Sequence, residues 1–479
     1  MPHPPGYPSW TILAHLFYLL PIPDTTPAWR VNLSSACFDA LAAGILCTAV
    51  GCWAHDIWAG LAAGGAFAFA PLVWEYAVQS EVFALNNLLC ACLLLSLVRF
   101  DARRTIGRAC AGAFVAGLSL TNQHTAVFFV LPFALWVVLI SGEAKAAVPS
   151  TTQVSTPNPG DGRLLLQPRK LLLLGACGLL GLTPYVYLPV RGGDTAVWGS
   201  WGSQRSIGGF LTHLFRIEYG TFQLANSPPT GHQEFRLRIW LYLCRIEDEL
   251  PLHGSLFTIV GLCTAVSIGR LRRIAVPMIL AYALYVLAFH WLANLPASSP
   301  LHLSIQQRFW AQPNLLISAW FGLGVGRTSR CLMPGAPGAA AAILSCVLVA
   351  LHLARGGSIA DSSSLTSTWF THGQAGFARL DSINDSGLIG LSPADCSGSS
   401  VFDDFGHEVL RSLPPGDNVL LLTYGDEVRK VFCHRSGNHN VSVRSGRHAM
   451  RASLLFVNRL ESYRQPAHAL IIKGVHLRQ

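Results

Sequence analysis

The sequence predicts an all-α polytopic membrane protein of about ten spans, followed by a small polar C-terminal region of α/β character. Two compositional facts and one pattern carry this. Hydrophobic residues make up 51% of the 479 positions, and only 12% are charged, with mean hydropathy +0.40. Soluble globular chains carry roughly 25% charged residues. The pattern is an alternation of loops: every second one collects Lys and Arg, and the others carry His, Glu, Asn and Gln.

The apolar segments fall at 31–53, 57–74, 82–99, 109–122, 124–141, 171–190, 254–269, 275–293, 313–327 and 339–354. Several are shorter than the roughly 20 residues that cross hydrocarbon untilted. Segment 109–122 is the weakest, because Gly117 and several small residues lower its hydropathy. Residues 10–20 are apolar but too short to span, and fit an interfacial or re-entrant segment.

Charge sets the expected orientation. Loops 99–108, 142–170, 270–273 and 327–330 hold four, four, three and two basic residues, whereas the short loops between them hold only Arg30 and Arg308. The first group is expected in the cytoplasm. Loop 191–253 holds six Arg on the other side, but long loops cross largely regardless of charge. The net charge of +9 is therefore topological and gives no reason to expect nucleic acid. Nine of the 13 Cys lie inside expected spans, where Cys acts as a small buried hydrophobe. Cys396 and Cys433 could pair in an oxidising lumen. No Cys/His spacing suggests a metal. The sequons at Asn32, Asn384 and Asn440 map to the non-cytoplasmic side or its boundary.

Residues 1–354 read as the membrane domain, with a Ser/Thr/Pro/Gly-rich stretch at 148–162 and the long loop at 191–253. Residues 355–479 read as a polar tail on the lumenal side, in which 403–413 has helical spacing and 417–425 reads as a strand ending in a turn.

Polar residues gather at the non-cytoplasmic boundaries. His3-Pro-Pro-Gly-Tyr7-Pro opens the chain. Gln79-Ser-Glu81-Val-Phe-Ala-Leu-Asn86-Asn87 enters one span, and Thr121-Asn122-Gln123-His124-Thr125 turns between two others. Leu188-Pro-Val-Arg191 starts the long loop, which also holds Arg216-Ile-Glu218-Tyr219-Gly-Thr-Phe222. Gln306-Gln307-Arg308-Phe-Trp-Ala-Gln312-Pro-Asn314 enters another span. Each has an ordinary structural explanation: a rigid turn, interhelical hydrogen bonds for Asn86 and Asn87, helix caps, or snorkelling Arg. Glu81 is harder to explain so, because an ionisable residue beside hydrocarbon is costly and needs a partner. Their sharing one side suits an enzyme with a lipid-phosphate donor, in which Arg and His bind phosphate and a carboxylate acts on the acceptor hydroxyl.

In order, HPPGYPSW, QSEVFALNN, LTNQHT, LPVR, FRIEYGTF and QQRFWAQPN resemble the motifs of transmembrane-protein-260-type protein O-mannosyltransferases, multi-span enzymes of the GT-C glycosyltransferase superfamily. The resemblance covers residues 1–330 and continues weakly into the tail. It implies an endoplasmic-reticulum membrane enzyme with a lumenal catalytic face and no cofactor. The implied reaction is inverting transfer of mannose from dolichyl-phosphate mannose to Ser or Thr of lumenal receptor domains of the plexin class. On this resemblance His124, Arg191 and Arg308, with Gln307 and Asn122, are expected at the donor phosphate. Glu81 and His3 are expected at the catalytic or acceptor side, supported by Tyr7, Asn86, Glu218 and Tyr219. The family carries a first span and a short acidic motif just before HPPGYP, whose acid is the expected base, and helical repeats beyond the tail. The expectation is that this chain is a fragment without that base. The rival readings are a secondary transporter, for which His290 and Asp39 are the tempting mid-span ionisable residues, and a non-catalytic membrane scaffold.

Overall fold

The computed structural model describes residues 4–23, 25–140, 167–192, 204–217, 220, 224, 231–298, 300–361 and four short strands of the tail. The helices are α1 Pro8–Tyr18, α2 Pro27–Ala54, α3 Ile57–Ala68, α4 Pro71–Ala77, α5 Val82–Ala102, α6 Ile106–Leu120 and α7 Val127–Ile140. They continue with α8 Pro168–Gly181, α9 Tyr187–Arg191, α10 Ile207–Leu214, α11 His232–Glu249 and α12 Gly254–Ser267. The last four are α13 Gly269–Leu292, α14 Pro300–Gln307, α15 Ala311–Leu332 and α16 Pro337–Asp361. One-turn 310 segments at His124–Ala126, Thr183–Val186 and Arg308–Trp310 lead into α7, α9 and α15.

Each of the ten expected apolar segments falls on a helix. By length and composition, α2, α5, α13 and Pro337–Ala354 of α16 can each cross a membrane. Three bent pairs also qualify: α3 with α4 at 63°, α8 with Thr183–Arg191 at 46°, and α11 with α12 at 101°. Residues 10–20 form the short α1, whose Leu16 and Leu19 are exposed. The long loop differs most from expectation: within 191–253 lie α10 and the 18-residue α11. Three Arg and four acidic residues in α11 mask its helical character in a hydropathy reading.

Helix ends follow local chemistry. Thr26 accepts from Trp29 N and precedes Pro27 at the first helical position. Asp56 caps α3 through Trp58 N and Ala59 N, and Thr105 caps α6. Pro71 opens α4 and ends α3 three residues earlier, which makes the 63° bend.

The core is centred on α15, buried along nearly its whole length from Ala311 to Ser329. Small residues let its neighbours close on it. A Cβ at Gly261 or Gly324 would overlap the facing backbone of Trp320 or Phe257, so α12 and α15 touch backbone to backbone. Outward faces are apolar: Leu131, Leu135 and Leu139 on α7 and Leu280 and Leu287 on α13 are all exposed.

By compactness the chain forms two units. The larger comprises Pro4–Val190 and Ser206–Gly357; the other comprises Met1–His3, Arg191–Arg205 and Ser358–Gln479. In the tail, Cys433–Arg435 (β1) pairs antiparallel with Val441–Val443 (β2), and Ile471–Ile472 (β3) with Val475–His476 (β4). The expected helix 403–413, strand 417–425 and Cys396–Cys433 pairing lie outside the described residues.

Gly324→Leu inserts a side chain where no space exists. It should cost about 3 kcal/mol or more and lower the thermal midpoint of detergent-solubilised protein, read by fluorescence-detected gel filtration after heating. Gly208→Leu on α10, where nothing lies within 4 Å of an added Cβ, should be silent in the same assay.

Candidate active site at the helix rim

The HPPGYP segment makes a tight entry to α1. The Pro4–Pro5 bond is cis, Gly6 has φ +94 and Tyr7 has φ 41. A Cβ on Gly6 would lie 2.8 Å from Leu188 Cδ2 and 3.0 Å from His213 Nε2, so glycine is required there by conformation and by space. This segment therefore presses on LPVR and on α10. Ser9 and Thr121 hydroxyls are hydrogen-bonded, which joins α1 to LTNQHT.

LTNQHT in turn is fastened to QSEVFALNN: Asn122 Nδ2 donates to Val82 O at 3.0 Å. Two residues on, His124 Nε2 lies 2.9 Å from Tyr185 Oη, and Tyr185 donates its one hydrogen to Leu120 O at 2.9 Å. The proton between His124 and Tyr185 therefore belongs to His124 Nε2. Burial pushes the His124 imidazole down to about 4, and Arg216, from the FRIEYG segment and held at φ 53, adds to this.

Glu81 is the N-cap of α5, yet its side chain makes no capping bond. Its Oε1 lies 3.6 Å from Nη1 of Arg308, in the 310 turn before α15. The Arg308 guanidinium also lies 5.8 Å from the Phe83 ring centroid. Phe83 packs edge-on against Phe309 at 5.1 Å. The Arg308 and Glu81 side chains are 9% and 25% exposed. The expected phosphate-binding cation and the expected carboxylate are thus one ion pair. An anion arriving at Arg308 must displace Glu81.

Other expected residues are placed as follows. His3, Glu218 and Tyr219 lie outside the described residues. Arg191 is the exposed last residue of α9. Gln307 is half-buried, and its neighbour Gln306 is anchored by donating to Leu295 O and His302 O. Tyr7 is half-buried. Asn122, expected at phosphate, is fully buried; its Nδ2 donates to Val82 O, and its Oδ1 has no hydrogen-bond partner among the described residues. Asn86 and Asn87, expected as interhelical bonds, divide: Asn87 bridges Asp39 and Gln312, while neither amide atom of the buried Asn86 has a hydrogen-bond partner. Asp39 is bonded inside the bundle. His290 sits in the last turn of α13 with Nδ1 at 2.7 Å from Val286 O.

Four residues escaped the sequence reading. Tyr185 sits in an apolar run with no polar neighbour to mark it. Arg216 stood in a quoted motif, but nothing in the sequence pairs it with His124. Tyr285 lies mid-helix. Arg238 is 1% exposed and donates to His290 O and Leu295 O, which satisfies carbonyls at the end of α13.

Fold and geometry together define a helical membrane protein in which Glu81 pairs with Arg308, His124 bonds Tyr185, and Asn122 ties the LTNQHT segment to Val82, next to Glu81. Residues 1–147 match the family description "Protein O-mannosyl-transferase TMEM260 N-terminal domain". The chain is 36% identical over 338 residues to "Protein O-mannosyl-transferase TMEM260" of Mus musculus, covering 69% of this chain and 45% of that protein. It is 28% identical over 448 residues to "Protein O-mannosyl-transferase tmem260" of Dictyostelium discoideum, covering 90% and 50%. The chain thus spans about half the length of the curated relatives it matches. These matches make it a TMEM260-type protein.

Removing one member of a mostly buried pair takes a compensating charge away from the other. Arg308→Ala should destabilise the protein more than the double variant Arg308→Ala/Glu81→Gln, with a coupling of about 1 kcal/mol in thermal or denaturant scans. Additive losses would mean that the pair does not hold the rim.

Proposed function

We propose that this protein is a GT-C-type protein O-mannosyltransferase of the endoplasmic-reticulum membrane. It transfers mannose from dolichyl-phosphate mannose to Ser or Thr hydroxyls on lumenal domains of plexin-type receptors. The observation that supports this reading is the hydrogen bond from Asn122 to Val82, which ties the segment of His124 to the segment of Glu81, the ion partner of Arg308. The names of both relatives support the activity. The Arg-rich loops at the opposite helix ends support a lumenal rim.

In this reading the acceptor hydroxyl attacks the sugar carbon from the face opposite the phosphate and gives up its proton to the Glu81 carboxylate. The carbon–oxygen bond to phosphate breaks, and its electron pair leaves with the phosphate. Arg308 and Arg216 oppose the charge that grows on the leaving group, and His124 holds Tyr185 in place. Arg308 becomes available as Glu81 turns from it toward the acceptor. The exposed apolar surface of Val186 and Val190, beside Leu188, gives the isoprenoid chain a path in the bilayer.

Membranes carrying the chain would be supplied with radiolabelled dolichyl-phosphate mannose and a plexin-domain acceptor. Wild type should label the acceptor, and Arg308→Ala or His124→Ala should lower transfer about a hundredfold. Transfer unchanged in Arg308→Ala would refute the phosphate assignment, and labelling from a nucleotide sugar alone would refute the donor.

A further inference from the structure

Beneath the rim runs a line of buried side-chain hydrogen bonds that the proposed chemistry does not use. Tyr285 Oη donates to Gln312 Oε1 at 2.8 Å, Gln312 Nε2 donates to Asn87 Oδ1 at 2.8 Å, and Asn87 Nδ2 donates to Asp39 Oδ1 at 2.8 Å. Tyr285, Gln312 and Asn87 are 0% exposed and Asp39 is 3% exposed. The line crosses α13, α15, α5 and α2, and two of its members belong to the motifs that carry Glu81 and Arg308. Thr125, next to His124, lies beside Tyr285.

Every donor in this line points the same way, toward Asp39. An amide can present either its oxygen or its NH2 group, so Asn87 and Gln312 have no direction of their own. The Asp39 oxygen that meets Asn87, Oδ1, accepts whether the carboxyl is ionised or carries its proton on Oδ2. With a carboxylate at one end, Asn87 must present NH2 to it and oxygen to Gln312. Gln312 must then present NH2 to Asn87 and oxygen to Tyr285, and the Tyr285 hydrogen must point inward. The two amides break any path for proton hopping, so the line is suited to holding orientation.

We propose that Asp39 is a positioning residue: as the group that ends the line with an accepting oxygen, it sets the direction of every hydrogen bond from Tyr285 to Asn87 and thereby fixes the first turns of α5 and α15 under the Glu81–Arg308 pair. Asp39→Asn keeps size and shape but lets both amides turn over, so the rim samples two arrangements. The swap Asp39→Asn with Asn87→Asp moves the carboxylate one step along. Residue 39 then donates to residue 87, Gln312 again presents NH2 to residue 87, and Tyr285 again donates to Gln312.

The test is amide hydrogen exchange of the full chain in detergent, read on peptides covering 80–87, 306–314 and, at the Arg-rich end, 326–333. Asp39→Asn should raise exchange at the first two by about five-fold, the swap should restore it, and the third should not change. The donor KM should follow the same order with kcat within about twofold. Wild-type exchange in Asp39→Asn, or a swap no closer to wild type than the single variant, overturns the proposal. The KM arm rests on the mannosyl-transfer reading and the exchange arm does not. A wild type that transfers no mannose but shows the exchange pattern would fail that reading alone.

Discussion

The 2.8 Å hydrogen bond between Gln312 and Asn87 joins side chains 225 residues apart, and the two halves of the rim site stand on it. In an apolar helical body a buried side-chain amide without a partner is costly, which favours bonds between helices. Once such bonds form, the helices lose their freedom to slide. Glu81 lies six residues before Asn87, and Arg308 four before Gln312, so locking those two amides brings the carboxylate and the guanidinium to one level. The ion pair is thus a product of the helix register.

Close packing makes that register achievable. Glycines at 261 and 324 let α12 and α15 meet backbone to backbone, and Gly322 does the same for α15 against α3. Other glycines serve the rim: Gly6 lets the HPPGYP turn reach Leu188 and His213. Asn87, Gln312 and Tyr285 lie within about two turns of their helix ends, and only Asp39 sits deeper in its helix. A transporter gathers such groups at the middle of broken helices, whereas here they support a surface at one end.

The sequence made the helices legible because hydropathy survives without tertiary context: all ten apolar segments are helical, and the short α1 was expected not to span. It made the rim legible as a set of motifs, because polar residues beside hydrocarbon are conspicuous. It did not show the pairing. Glu81 and Arg308 were expected in separate roles, and only the fold shows that each neutralises the other. Tyr185 and Tyr285 were invisible, since a tyrosine in an apolar run looks like core until its hydroxyl partner is known. α11 was read as loop because its charges hide a helix whose Arg238 and Glu249 are buried. Asn122, expected at phosphate, donates from Nδ2 to the Val82 carbonyl, a bond that no sequence pattern marks.

The central claim is that one rim of the bundle holds a lipid phosphate. Its most direct test is photolabelling of the intact chain in membranes with a polyprenyl phosphate carrying a diazirine beside the phosphate, followed by peptide mapping. The account predicts labels within 79–83, 120–126 and 306–310, lost when unlabelled dolichyl phosphate competes. Labels confined to the Arg-rich end, at 267–273 and 326–332, would contradict it.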